Sequence, residues 1–461
     1  MIKYRVIIYF YSGGDILTIE LNESVRKIIK ALNLKGYKAY VVGGAVRDSI
    51  MGRTPHDFDI ATNALPDEIK SIFPKTIDTG IKHGTVTVMD SNGSYEVTTF
   101  RTDGEYKDSR HPENVEFISD VEGDMLRRDF TINALAYNEQ SGVSDYVGGI
   151  SDIQNKIIRT VGEPEKRFKE DALRMLRAIR FSIVLGFEIE EKTALAIKRY
   201  SVLIKKISAE RIREEIEKIL RSEKPEGIIK LHELGLLKHI MPELDVCFSV
   251  PQKNKYHIYD VGNHIIHAVA STPEDIVIRW AALLHDVGKP LCKSTDGNGI
   301  IHFYGHHHES VRLADDILHR LRLDNDSRKS ILMLVENHDI RIDSNPVSVK
   351  RVMARLGEDL FLKLLILQEA DNRAKNTKFL QDKLNKLNEV RVIYRKVLSE
   401  RQPYLPGDLV INGRDLIKIG FRAGREIGDT LHVLLDEVLI NPALNNREYL
   451  MTRAKQLKKK R

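Results

Sequence analysis

With 461 residues the chain is too long for a single core and divides into two to four domains, each able to bury its own interior. Two cysteines, Cys247 and Cys292, allow at most one disulfide and no metal knuckle, which excludes a disulfide-stapled module and favours a reducing cytoplasm. A net charge of +6 permits a polyanionic partner without requiring one.

Residues 1–20 read as an N-terminal extension, an extra strand or an appended leader. The apolar run Val6 to Tyr11 follows Lys3 and Arg5 but lacks a small-residue cleavage site and is too short to cross a bilayer, and no other segment is a candidate span. From Tyr37 to about Tyr146 short β-rich runs, such as Ala39 to Val42, Gly84 to Met89 and Tyr95 to Arg101, alternate with helical patterns, which predicts an α/β head on a small sheet. Within it, Val41 to Thr62 reads VVGGAVRDSIMGRTPHDFDIAT. Gly43 and Gly44 lack Cβ and let backbone approach a triphosphate, a helix from Ala45 to Met51 offers free N–H groups, and Arg47 adds a fixed positive charge. On a strand, Asp57 and Asp59 would share one face, with Phe58 and Ile60 turned inward. Paired carboxylates recruit divalent cations, and hard oxygen ligands select Mg²⁺ shared with substrate phosphates. An ordinary glycine turn beside a solvated acidic loop is the bland alternative.

The segment Thr99 to Pro112, TFRTDGEYKDSRHP, is polar and charged and predicts a mobile loop. Arg127 to Ala136 is a basic entry to an apolar strand or helix, in which Arg128 could reach triphosphate oxygens. Then Glu170 to Arg180, EDALRMLRAIR, places arginines every third residue, so that Asp171, Arg174, Arg177 and Arg180 fan around one side of a helix while Leu173, Leu176 and Ile179 face a core. A surface helix laced with ion pairs has the same pattern. Cytosine and adenine both present an amino donor beside a ring-nitrogen acceptor, so a carboxylate next to a guanidinium accepts both and strands buried groups against uracil and guanine.

Beyond Ile150 strand signals nearly vanish and long amphipathic patterns follow, for example Ile212, Ile216, Ile219 and Leu220. Residues 257–371 contain His264, His285-Asp286 and Asp371, which, drawn from separate helices, can cage a divalent metal; His306 and His338 could add ligands. The tract Tyr304 to His308 holds three consecutive histidines that a helix would point in different directions. Six of the last nine residues are Lys or Arg, either a solvated tail or a contact to an RNA backbone.

VGGAVRD, DFDIAT, RRDFTINALA and EDALRMLRAIRF, in this order, resemble the class II tRNA nucleotidyltransferases, the CCA-adding enzymes, and the related bacterial poly(A) polymerases, from about residue 21 to the end. The resemblance implies an α+β fold: a polymerase-β-like head, then an all-helical neck, body and tail. It implies Mg²⁺ on Asp57 and Asp59; Gly44, Arg47 and Arg128 on the phosphates and sugar of the nucleotide; Asp171 and Arg174 as the base-reading pair, positioned by Glu170; and Arg177 and Arg180 completing the pocket. The reaction would join CTP, CTP and ATP to the 3′ end of tRNA with release of pyrophosphate, the tRNA being held through backbone and shape. The loop at Thr99 to Pro112 resembles the element such enzymes use to switch from C to A, and His111 departs from the arginine relatives often place there. The histidine and aspartate order resembles the HD phosphohydrolase superfamily, which implies a second metal site at His264, His285, Asp286 and Asp371, unless the scaffold only supports tRNA. Expected divisions are 1–20, an extension; 21–150, the head; 151–242, a neck for base and RNA binding; 243–384, the HD-like domain; and 385–461, a tRNA-binding tail. An A-adding enzyme or poly(A) polymerase, and an HD-type phosphohydrolase with an RNA-binding head, stand as alternatives.

Overall fold

The computed structural model describes residues 7–8, 19–55, 57–104, 115–252 and 256–459. They form two compact units, Met1–Pro242 and Glu243–Arg461. No helix among the described residues is long and apolar enough to cross a membrane.

The first unit carries the sheet. In chain order its elements are β1 (Ile7–Ile8), α1 (Glu23–Leu34), β2 (Ala39–Val42), α2 (Gly44–Ile50), β3 (Asp59–Thr62), α3 (Pro66–Ile72), β4 (Thr76–Gly80), β5 (Thr85–Asp90), β6 (Gly93–Thr99), β7 (Arg101–Asp103), β8 (Val115–Phe117), α4 (Val121–Leu126), β9 (Leu135–Asn138) and β10 (Gly142–Asp145). The strand order is β1-β10-β9-β2-β3-β6-β5-β4, with β3 and β6 parallel and the other neighbours antiparallel, while β7 and β8 make a separate hairpin. Alternation drives these strands: in β6, Tyr95, Val97 and Thr99 are buried and Ser94 and Glu96 exposed. Helix α1 starts where the Asn22 side chain accepts from Val25 N–H and buries Val25, Ile28, Ile29 and Leu32, the spacing of one helical face. One side of the sheet is sealed by a cluster that includes Val42, Ala61, Phe100, Met125 and Ala136.

Two expectations change here, and a third is met in part. Only Asp59 of the acidic pair lies on a strand, because β3 begins at the pairing of Val42 with Asp59 and the next residue, Gly43, turns the chain away, leaving Asp57 and half-buried Phe58 without a partner strand. The start of the segment expected to be mobile is ordered: Thr99 is buried, its hydroxyl donates to Ala64 O, and Arg101–Asp103 pairs with Val115–Phe117. The rest of that loop, with His111, lies outside the described residues. Of the N-terminal extension, Ile7 and Ile8 form a strand against β10, and residues 1–6 and 9–18 lie outside the description.

After the sheet come α5 (Gly149–Gln154), α6 (Pro164–Glu170), α7 (Leu173–Leu185), α8 (Glu191–Tyr200) and α9 (Ala209–Leu220). Ile212, Ile216, Ile219 and Leu220 are all buried on α9, as are Leu173, Leu176 and Ile179 on α7. The helical region is interrupted by two-residue strands, Ile157–Ile158 with Glu188–Ile189 and, in the second unit, Ser294–Thr295 with Ile301–His302. The described residues of the second unit otherwise form helices and the loops that join them. Its C-terminal part packs Leu416, Phe421, Leu434, Val438, Leu450 and Ala454 together. The basic end is a helix, Arg447–Lys459, held by Arg453 on Glu437 and by Lys458 on Ile419 O, while Lys460 and Arg461 lie outside the described residues.

Candidate active site and metal centre

The chain leaves β2 through Gly43, whose φ of +74° and ψ of −129° suit only glycine. The absence of a side chain has a second use: a Cβ at Gly43 would sit 2.9 Å from Arg128 Nη1. Arg128 therefore lies directly against the turn, its Nη1 donating to Asn133 O at 3.3 Å and its Nη2 to Asp124 at 3.3 Å. Buried Asp124 also takes Arg127 at 2.7 Å. Burial alone would raise its carboxyl, and the two guanidinium groups bring it below the ordinary value. Arg47 is largely enclosed, with Nη1 on Asn133 Oδ1 at 2.6 Å, Nη2 on Asp48 at 2.8 Å and its guanidinium 5.4 Å from the Phe181 ring centre. It braces the turn on which the site is built.

Asp57 and Asp59 are exposed to solvent, and Asp59 lies within electrostatic reach of Arg128. Crowding around its carboxyl raises Asp59, the charge of Asp57 adds to this, and Arg128 opposes it. A third carboxylate joins them: β3 and β6 pair Ile60 with Val97, which sets Asp59 beside Glu96. Desolvation raises Glu96, and the charges of Asp59 and Asp57 raise it further. The effect of Asp57 on Asp59, and of both on Glu96, is one that a divalent cation relieves, and carboxylate oxygens are the donors a hard metal ion prefers. Glu96 was missed because a lone carboxylate in an alternating strand looks like ordinary solvent-facing polarity. The register that places it beside Asp59 is a tertiary fact.

Alongside lies a cavity of about 310 Å³ lined by Arg127, Arg128, Asp129, Asp171, Arg174, Arg177 and Arg211. Asp171 is not on a helix with the arginines: its extended backbone (φ −143°, ψ 106°) ends α6, and its side chain accepts from Leu173 N–H at 3.0 Å to start α7. Arg211 from α9, which the sequence reading passed over, donates to Asp171 at 2.8 and 3.4 Å. Arg174 is buried and bonded to Glu170 at 2.6 Å, and Glu170 also accepts from Arg167 at 2.9 Å. Arg177 grips Asp129 at 2.7 and 2.8 Å. Burial alone would raise Asp129, but Arg177 and then Arg174 hold it at about 2. Arg180 does not line the cavity. It is paired with buried Glu215 at 2.5 Å and stacked over Phe181 with 4.0 Å to the ring centre. Glu170 likewise stands behind the cavity wall, and Gly44 in the turn beside Arg47.

A second cluster stands in the unit Glu243–Arg461. His264 comes from the helix Val261–Ala270, and His285 and Asp286 follow the helix Ile276–Leu284. His306 opens the helix His306–Arg320, His338 caps Asn325–Asn337, and Asp371 lies near the end of Glu358–Arg373. Asp286 uses its two oxygens on two sets of imidazoles: Oδ2 lies 3.3 Å from His264 Nε2 and 3.2 Å from His285 Nε2, and Oδ1 lies 3.2 Å from His306 Nε2 and 3.6 Å from His338 Nε2. Asp371 adds an oxygen 3.0 Å from His264 Nε2. Every one of the four rings places Nδ1 against a backbone carbonyl, of Ala374, Ala282, Phe303 and Val335 respectively, at 2.7–3.2 Å. Those carbonyls can only accept, so each Nδ1 donates and each Nε2 turns a lone pair inward. The inward nitrogens then meet at 3.3 Å between His264 and His285 and again between His306 and His338. Lone pairs at that distance demand a cation between them, which is how these residues fit a divalent metal. Burial alone would lower His285, but Asp286 and Asp371 outweigh it and raise the ring to about 9, so a proton and a metal ion compete for the Nε2 lone pair. Lys289 and Lys375 close the cluster on Asp286 and Asp371. Among the three neighbouring histidines, His306 joins the cluster and His307 turns toward Asp339 at 3.9 Å.

Comparison with known proteins agrees in order. Residues 39–159 match the poly A polymerase head domain model, 186–248 the model described as a probable RNA and SrmB-binding site of polymerase A, and 255–376 the HD domain model. The chain is 34% identical over 433 residues to the CCA-adding enzyme of Ligilactobacillus salivarius (strain UCC118), covering 93% of this chain and 95% of that one. It is 54% identical over 193 residues to the CCA-adding enzyme of Geobacillus stearothermophilus, covering 42% of this chain and 48% of that one. The crystal structure of the Bacillus stearothermophilus CCA-adding enzyme in complex with CTP superposes with a TM-score of 0.69 at 31% identity, covering 95% of this chain and 98% of that one.

Proposed function

The chain belongs to the CCA-adding enzymes, the tRNA nucleotidyltransferases, and from that premise we propose that its head adds C, C and A from CTP and ATP to the 3′ end of tRNA, with Asp57 and Asp59 carrying the chemistry. The observation that supports this assignment of residues is the neighbourhood of Asp57, Asp59 and Glu96, in which the charge of Asp57 raises Asp59 and both raise Glu96, beside an arginine-lined cavity. Asp57 and Asp59, with Glu96 beside them, are the residues that would hold Mg²⁺. Bound there, the ion supplies the charge that an in-line displacement at phosphorus requires. The terminal ribose oxygen bonds to the α-phosphorus, the bridging bond to the β-phosphate breaks, pyrophosphate leaves, and the hydroxyl proton is lost to solvent. Arg128, fixed against Gly43, neutralises triphosphate oxygens, and Arg47 keeps the turn in place.

Asp171 and Arg174 read the base. Asp171 accepts from the exocyclic amino group and Arg174 donates to the ring nitrogen, which admits C and A and refuses U and G. Arg211 and Glu170 hold the pair from behind, and Arg177 and Arg180, locked to Asp129 and Glu215, stiffen the helix. In the second unit, His264, His285, Asp286 and Asp371 would hold a further divalent metal, with His306 and His338 on the other oxygen of Asp286. We place the protein in the cytoplasm and assign 21–150 to the head, 151–242 to the neck, 243–384 to the HD-like domain and 385–461 to the tail. The A-adding and poly(A) polymerase readings are not favoured, given relatives named CCA-adding enzymes. A tRNA transcript ending at its discriminator base tests this: with CTP alone it gains two residues, and with CTP and ATP three. Failure to incorporate C would refute the reading.

A further inference from the structure

Two cavities in the unit Glu243–Arg461 share one wall. The first, of about 390 Å³, is bordered by Phe303, Tyr304 and His307. The second, of about 360 Å³, is bordered by Arg341, Lys383, Lys386, Leu387 and Val390. His338, Asp339, Asp371 and Lys375 line both, so two members of the histidine and aspartate cluster, His338 and Asp371, form part of the shared wall, while Asp286 and His306 face the first cavity. Each has the volume of a site for one small ligand.

Their chemistries differ. In the first, Tyr304 stacks on His302 with ring centres 5.2 Å apart and planes 8° from parallel, and at 76% exposure it keeps broad aromatic surface in solvent. In the second, Arg341 and Lys386 divide one carboxylate, Asp343, at 2.9 and 3.5 Å, and Lys383 has no ion-pair partner among the described residues. Asp339 and Asp371 also line this cavity, Asp371 paired with Lys375, so Lys383 is the cation left over, above an apolar floor of Leu387 and Val390. An aromatic shelf next to one unpaired lysine and two cations that share a carboxylate is what a single-stranded nucleic acid requires: a base to stack and a backbone to neutralise. A free mononucleotide would satisfy one cavity and leave the other without a counterpart.

We propose that the two cavities seat consecutive nucleotides of a single-stranded RNA, one base on Tyr304 and the neighbouring phosphate and ribose against Arg341, Lys383 and Lys386, with the phosphodiester between them at the shared wall. This rests on the reading of the cluster as a metal centre and gives that centre its ligand class, a polynucleotide.

Lysine acetylation of the full chain, read by mass spectrometry with hexa-adenylate or AMP added, tests it. Acetylation of Lys383 and Lys386 slows about tenfold at a hexanucleotide concentration roughly ten times its Kd, by mass action, and AMP at equal concentration leaves it unchanged. Tyr304→Ala shifts the hexanucleotide concentration needed for protection upward about fivefold or more, the lower end of base stacking on an aromatic side chain. Absence of protection, or equal protection by AMP, overturns the proposal. Mn²⁺ binding is measured by equilibrium dialysis on the full chain carrying Asp57→Ala and Asp59→Ala, so that only the histidine and aspartate cluster is counted. Protection without bound Mn²⁺ leaves this proposal standing and removes the metal reading, whereas bound Mn²⁺ without protection removes this proposal alone.

Discussion

Replacing Gly43 by alanine separates two roles of one atom-sized space. The backbone at φ +74° and ψ −129° is open to glycine alone, and holding alanine there costs about 1–3 kcal/mol of stability. Independently, the new Cβ would lie 2.9 Å from Arg128 Nη1, closer than carbon tolerates, and the flexible end of the arginine is what yields. Its bonds to Asn133 O and Asp124, both 3.3 Å, are long enough to break. Moving the guanidinium removes a charge-assisted contact to the triphosphate, worth about 1.5–3 kcal/mol, or about tenfold to a hundredfold in kcat/KM for CTP. The assay is CTP incorporation into a tRNA transcript, run as a double-mutant cycle with Arg128→Ala, beside urea unfolding of each variant. In the Arg128→Ala background the catalytic effect of Gly43→Ala should vanish while its loss of stability persists. The same factor in kcat/KM in both backgrounds would refute the argument that glycine is there to admit Arg128.

Asp59 is raised by desolvation above the ordinary carboxylate value, and Arg128 opposes that rise, so Arg128→Ala should move the acid limb of the kcat/KM profile to higher pH; an unmoved or lowered limb contradicts the assignment. Asp129 is held at about 2 in the fold against an ordinary 3.8, so its stabilisation is complete above pH 3.8 and lost as pH falls toward 2. Asp129→Asn should therefore cost about 2 kcal/mol at neutral pH, with the gap to wild type narrowing in acid. A gap independent of pH would show that the carboxylate charge is not what Arg177 uses. Asp171→Ala should keep CTP incorporation measurable while admitting UTP, and an unchanged preference for CTP over UTP would count against base reading by that carboxylate.

The local parts of this site were legible in the sequence because they are set by local rules. Ala39–Val42 is an apolar run, Gly43 and Gly44 mark the turn, and the core faces of α7 and α9 follow from helical spacing. What the sequence hid depends on register between distant segments. Asp57 falls off the strand because pairing ends where Gly43 turns away, and Glu96 reaches Asp59 only through the parallel pairing of β3 with β6. Arg211, one residue before the apolar spacing of α9 begins, becomes visible only when its partner Asp171 is brought to it across the neck. Asp171 itself was assigned to the arginine helix by spacing, whereas its side chain caps that helix. The histidine cluster was recognisable by residue type. His306 and His338 were named as residues that could add ligands, but the oxygen of Asp286 they share and the uniform tautomer set by four backbone carbonyls came from the packing of five helices.

The central claim is that Asp57 and Asp59 hold the metal that carries the nucleotide. Anomalous diffraction from crystals soaked with CTP and Mn²⁺ tests it directly. The account predicts a peak coordinated by both carboxylates and by phosphate oxygens, with Glu96 adjacent. A nucleotide bound with its manganese elsewhere in the head, and both aspartates bare, would contradict it.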